Sequence, residues 1–188
     1  NAVLAALNMQ RITEELKVAF KQEGLPEVNI GVGVNTGLMN VGDMGSSYRR
    51  SYTVLGDAVN LGSRLESITK FYGAKILIGE DTFDHIEGFV CRFVDRIQVK
   101  GKEEAIRVYE PLGLDGEVEQ SVLDEISQYE QAYQLYLKQD WANAKDAFTL
   151  LHENNPLKLY EVYIERINDL KHQTLPAQWD GTFRHTSK

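Results

Sequence analysis

Apolar residues return every three or four positions through residues 3–23, at Val3, Leu4, Leu7, Ile12, Leu16 and Phe20, which is the period of a helix. Gly24 and Pro26 close that run in the order expected of helix stop signals. The period then falls to two. Val28, Ile30, Val32 and Val34 alternate with Asn29, Gly31, Gly33 and Asn35, so residues 28–35 read as a strand. The small residues on its second face imply close approach of another layer or a ligand. Residues 37–48 carry glycines at 37, 42 and 45 and read as a turn, a short strand and a loop. Arg49 and Arg50 lead from there into a central strand over residues 51–55. A helical pattern follows Gly56 at once, with Asp57 as a good N-cap, and runs to about Lys70 before Gly73 ends it. Residues 75–78 read as a short apolar strand and 80–86 as a short helix. Residues 89–99 are strand-rich and join 106–109 through a tight turn at 100–103, a hairpin. Strands alternating with helices indicate an α/β or α+β domain.

The pattern changes again after Pro111 and Gly113. Residues 115–120 are acidic with one glycine and mark a boundary, and from Val122 to Lys171 everything reads helical. Ala132, Ala144, Phe148 and Pro156 fall on positions typical of the tetratricopeptide repeat, with Trp141 and Ala147 fitting between them. One partial unit cannot stand alone, since helical-repeat arrays need about three to bury a continuous core. The expected division is therefore 1–113, a linker at 114–121, and a tetratricopeptide-like helical extension and tail over 122–188. That extension is expected to pack on the preceding domain or on a second subunit, with Trp179 pinning an irregular tail.

Composition narrows the function. A net charge of -8 over 188 residues argues against a general nucleic-acid or acidic-membrane surface, whose footprint is basic. The single Cys91 cannot form an internal disulfide, and it fits a reducing compartment. No run approaches the roughly 20 apolar residues of a membrane span. His85, His152, His172 and His185 are scattered without ligand spacing, so no zinc site is indicated. The sequence starts without Met and reads as a piece of a longer protein.

Asn60 and Arg64 are the first candidates for chemistry. Four residues apart, they project from one face within the first two turns of the helix after Asp57. An amide beside a guanidinium near a helix N-terminus suits a phosphate or a developing anion. Both could equally be the watered face of an amphipathic helix. The glycines at 37–45 lack the spacing of either phosphate-binding glycine motif.

Four ordered blocks favour the functional reading. They are Gly31-Val-Gly-Val-Asn-Thr-Gly37, Val41-Gly-Asp-Met-Gly-Ser46, Tyr52-Thr-Val-Leu-Gly-Asp-Ala-Val-Asn-Leu-Gly-Ser-Arg-Leu-Glu66 and Val99-Lys-Gly-Lys102. Together, over roughly residues 1–112, they resemble the class III nucleotidyl cyclases, the catalytic domains of adenylate and guanylate cyclases, of the bacterial adenylate cyclase type. The resemblance implies an α+β fold (an α/β sandwich): a partial ferredoxin-like domain with its first strands missing, followed by the all-helical extension. It implies conversion of ATP to 3',5'-cyclic AMP and pyrophosphate at a homodimer interface, in signal transduction. Two ions of Mg2+ or Mn2+ in the intact domain would activate the 3'-hydroxyl. Asn60 matches the residue that orients the ribose, and Arg64 the one that stabilises the transition state at the α-phosphate. Lys100 matches the lysine on the terminal phosphates.

Thr53 matches the base-recognising position, where many adenylate cyclases carry Asp. A hydroxyl both donates and accepts, so it can still read adenine. Guanylate cyclase remains the enzymatic alternative, and a non-catalytic dimerisation or regulatory module the alternative of another class. The family's metal-binding aspartates match positions upstream of this chain. Asp43 and Asp57 match downstream motifs instead, so no metal ligand is assigned and none is expected bound. This stretch alone is therefore expected to be inactive. The resemblance further implies a cytoplasmic domain, with any membrane anchor of the parent lying elsewhere. The missing strands are expected to leave an apolar face or an open strand edge, and with it a tendency to associate.

Overall fold

The structure, a computed structural model, describes residues 2–46, 48–99, 104–176 and 178–185. Its elements are α1 (Ala2–Gln22), β1 (Val32–Val34), β2 (Asn40–Ser46), β3 (Arg49–Leu55), α2 (Asp57–Tyr72), β4 (Ile76–Gly79), α3 (Glu80–Phe83), β5 (Phe89–Val99), β6 (Ile106–Leu114), α4 (Gln120–Leu137), α5 (Trp141–Asn154), α6 (Lys158–Leu170) and β7 (Phe183–His185). Five strands form a mixed sheet in the order β1-β4-β6-β5-β7, parallel at its two outer pairs and antiparallel within. The fold is α+β, with helices on both faces of that sheet.

The sequence of β4 explains why both faces are covered. Ile76, Leu77 and Ile78 are all buried, as a strand with a hydrophobic layer on each side must be. Ile76 and Ile78 join Val3 and Ala6 of α1 and Tyr109 of β6 in one cluster, where Phe83 stacks on Tyr109 with ring centres 3.9 Å apart. Leu77 faces the other way, into the main core. That core runs without a break from Leu61, Leu65 and Tyr72 of α2, through Val94, Ile97 and Val108 of the sheet, to Tyr129, Phe148, Tyr163 and Ile167 of the helical region.

Polar atoms tie the helical region to the sheet. The Tyr129 and Tyr163 hydroxyls both donate to the carbonyl of Val94, at 2.7 and 2.8 Å. Burial pushes both phenols well above their ordinary pKa, so they remain neutral donors. Arg92 of β5 lies between Glu110 at 2.7 Å and Glu125 of α4 at 2.8 Å. Burial works against its charge, but Glu110 foremost, then Tyr160 and Glu125, outweigh it and hold the guanidinium pKa above its usual value. A second buried pair joins Arg166 of α6 to Asp95 of β5 at 2.6 Å, and the Tyr72 hydroxyl donates to the same carboxylate at 2.6 Å.

Several elements differ from the expectation. The buried face of α1 is Val3, Ala6, Gln10 and Thr13, whereas Ile12 and Leu16 are nearly half exposed. Gln10 decides the rotation: its amide donates to the carbonyls of Ile30 and Lys75, both at 3.0 Å, and pins the helix across two segments. The strand at 28–35 contracts to three residues. Residues 51–55 are not in a central strand. They belong to β3, which among the described residues pairs only with β2 in a separate ribbon, and every residue of β3 is exposed. Gly56, not Asp57, is the N-cap of α2, and Asp57 opens the first turn, where its charge favours the helix dipole. Beyond the tail, Phe183–His185 forms a strand that the residue pattern did not reveal.

The open edge and apolar surface are present. Among the described residues β1 pairs only with β4, and Ile12, Leu16, Val28 and Ile30 lie exposed. The small face of β1 is explained by contact. A Cβ on Gly33 would collide with the Gly62 carbonyl oxygen and the Glu66 amide nitrogen, so α2 lies directly on the strand backbone. Gly33→Ala is accordingly expected to push α2 off β1 and cost about 1–3 kcal/mol, read as a lower midpoint in urea unfolding.

Candidate active site

Helix α2 positions two of the four candidates. Leu61, Leu65, Thr69 and Tyr72 form its buried stripe, which turns Asn60 outward and leaves Arg64 half-buried at the border of the same face. The N-terminal half is held hard. Gly33 admits the helix backbone, the Asn60 amide donates to the Gly56 carbonyl at 3.1 Å, and Asn35 Nδ2 donates to the Ala58 carbonyl at 3.1 Å. At the far end Gly73 adopts the left-handed conformation (φ 70°) and its N–H caps the Thr69 carbonyl. Asn35 is a positioning residue that the pattern did not single out. The signal was available, as a polar residue ending an apolar strand inside the first glycine block.

Among the described residues no carboxylate lies within ion-pair distance of Arg64, whereas Arg92 and Arg166 are both neutralised internally. Arg64 is thus a cation oriented by a rigid element and open to an external anion. Thr53 lies on β3 opposite Gly42, exposed, three residues before the Gly56 cap. Lys100 lies outside the described residues, next after Val99 at the end of β5.

Thr53 and Asn60 are exposed and Arg64 is half-buried. A cleft of about 670 Å³ lies between β5, β6 and α4, with Phe93, Arg96 and Tyr133 among its walls. Among the described residues no three His, Cys, Asp or Glu side chains converge to hold a metal ion. No helix among them is long and apolar enough to cross a membrane.

A sequence model described as the adenylate and guanylate cyclase catalytic domain matches residues 1–110. The chain belongs to that family. The terminal-differentiation-specific adenylate cyclase of Dictyostelium discoideum is 37% identical over 174 residues, covering 88% of this chain but 8% of that protein. The adenylate cyclase of Anabaena cylindrica is 38% identical over 113 residues, covering 58% of this chain and 22% of its own length. The chain thus spans less than a quarter of these relatives. The crystal structure of the adenylyl cyclase CyaB from P. aeruginosa superposes with a TM-score of 0.52 at 30% identity, over 60% of this chain and 58% of that one. The guanylyl cyclase Cya2 gives the same TM-score and identity, over 62% and 58%. Domains of this cyclase family bind a nucleotide, generally use divalent metal ions and typically act as dimers.

Proposed function

We propose that this cyclase domain converts ATP to 3',5'-cyclic AMP and pyrophosphate. The observation that carries the reading is Arg64: a guanidinium without an internal counter-ion among the described residues, one turn after Asn60, on a helix seated on a glycine of the neighbouring strand. The reaction forms a bond from the 3'-oxygen to the α-phosphorus and breaks the α-phosphorus bond to the pyrophosphate oxygen. The 3'-hydroxyl proton leaves as the ring closes. Negative charge grows on the phosphate oxygens, and Arg64 supplies fixed donors at that point, where preorganised charge is worth most. Asn60 holds the ribose by its amide, so that the 3'-oxygen faces the phosphorus. Thr53 reads the base by donating and accepting at one hydroxyl, and Lys100 takes the terminal phosphates.

The open position of these residues supports a dimer. A nucleotide site usually buries most of its ligand, whereas Thr53 and Asn60 are exposed and Arg64 is only half-buried. The ribbon beside it presents Val41, Tyr52, Val54 and Leu55 to solvent, an apolar patch suited to a second catalytic domain. We place the completed site between two copies. The relatives named adenylate cyclase favour ATP; the match to a guanylyl cyclase keeps GTP as the second substrate to test. The full-length protein that carries this sequence is expected to release pyrophosphate and cyclic AMP from ATP, and to process GTP about tenfold or more slowly. Equal rates on both nucleotides would overturn the assignment of Thr53. No turnover of either, in a protein shown to dimerise, would overturn the enzymatic reading.

A further inference from the structure

We propose that Phe183 and Arg166 are positioning residues that brace helix α2, and through it Asn60 and Arg64, for the cyclisation; the kinetic part of the proposal rests on the function just given. The stripe that carries Asn60 and Arg64 continues along α2 to Phe71, which follows at i+7 from Arg64. Phe71 stacks on Phe183 of β7, with ring centres 5.8 Å apart and planes 17° from parallel. The Arg166 guanidinium lies against both rings, its Cζ 3.7 Å from the Phe183 ring centre and 5.9 Å from that of Phe71. The same guanidinium donates to the Tyr72 hydroxyl at 3.1 Å and pairs with Asp95 at 2.6 Å. Two adjacent residues of α2 are therefore gripped by one arginine, at Tyr72 by a hydrogen bond and at Phe71 together with the Phe183 ring that stacks on it.

The grip is anchored to the sheet. Phe183, Arg184 and His185 pair in parallel with Ile97, Gln98 and Val99, the last three residues of β5. The segment leading to β7 is tacked down by Trp179 against Tyr136 at 5.0 Å and by Asp180 with Arg96 at 3.1 Å. A helix is stiff over this length, and Arg64 stands about 10 Å from Phe71 along its axis. The N-terminal half of α2 rests on β1, so a tilt released at Phe71 alters the angle at which Arg64 meets the phosphate. Catalytic geometry is steeply sensitive to shifts of about 1 Å. With three residues paired at an edge among the described residues, β7 is the part of the brace that opens most readily.

The test uses the full-length protein with Phe183→Ala, Phe183→Tyr and Phe183→Leu, measuring kcat and KM for ATP, thermal unfolding, and amide exchange along α2. Phe183→Ala is expected to lower kcat about tenfold with KM within about threefold. Exchange should quicken over residues 66–72 while β4 and α4–α6 keep their protection. Phe183→Tyr keeps the ring and should restore both readouts. Phe183→Leu keeps apolar volume without the ring face and should remain deficient, which covers the case that the alanine variant fails to fold. Wild-type kcat and exchange in Phe183→Ala and Phe183→Leu would overturn the brace. So would a fall in kcat that follows a uniform loss of protection across the sheet and helices. If the parent protein turns over no nucleotide, the function reading fails, and the exchange pattern still decides whether Phe183 holds α2.

Discussion

Arg64→Ala is expected to reduce nucleotide turnover by about 10²–10³-fold, the usual loss when one preorganised transition-state donor is removed. The fold should tolerate the change. Arg64 has no internal ion pair among the described residues, its neighbours Leu61 and Leu65 keep α2 in place, and alanine is the best helix former. The loss should appear mainly in kcat, because the charge that Arg64 meets develops as the new bond forms. Arg64→Lys keeps the charge but not the planar fork, so it should recover only part of the rate. Steady-state kinetics on the full-length protein, beside a thermal melt of each variant, separate these effects. A kcat for Arg64→Ala within about twofold of the parent would remove Arg64 from the mechanism.

Arg166→Met should produce the largest loss of stability, about 3–5 kcal/mol, by leaving Asp95 as a buried carboxylate without its cation. Asp95 is fully buried and also accepts from the Tyr72 hydroxyl, the Tyr163 hydroxyl and the Arg96 amide. Those dipoles cannot replace a charge 2.6 Å away. Arg166 is itself buried, and burial opposes its ionisation; Asp95 in the first place, with Tyr72 and Tyr163, more than compensates and raises its pKa. Urea unfolding measures the difference directly, and a midpoint shift worth less than about 1 kcal/mol would mean that the pair is not a structural keystone. The double variant Arg166→Met, Asp95→Asn should regain part of the loss, since no net charge then remains buried.

Much of this was legible in the sequence because the relevant signals are local. The helix after Gly56 is written in its stripe of Leu61, Leu65 and Tyr72, and its end in Gly73. The glycines of β1 announced a close neighbour, which proved to be α2. What escaped depends on contacts distant in the chain. Nothing near Ile12 and Leu16 says that Gln10 will rotate them outward by bonding to Ile30 and Lys75. The apolar run at 51–55 looks like a core strand because its β-branched residues fit either a core or an interface, and only the sheet order separates the two. Residues 183–185 are too short to show a period, and their strand exists only because the edge of β5 lies open to them. Asn60, Arg64 and Thr53 are candidates from motif alone, and the fold places the first two on α2 and the third on the ribbon.

The two buried ion pairs between sheet and helices bear on how this domain can be engineered. Arg92 with Glu125, and Asp95 with Arg166, place one partner before residue 100 and the other after residue 120. A chimera that grafts the helical region of one cyclase onto the catalytic portion of another would strand Asp95 unless Arg166 travels with it, and would leave Arg92 with Glu110 alone. The helical region is therefore no interchangeable cassette. In a lineage of such proteins, the two segments are bound to change in step, and matched substitutions at 92 with 125, or at 95 with 166, would be the trace of it.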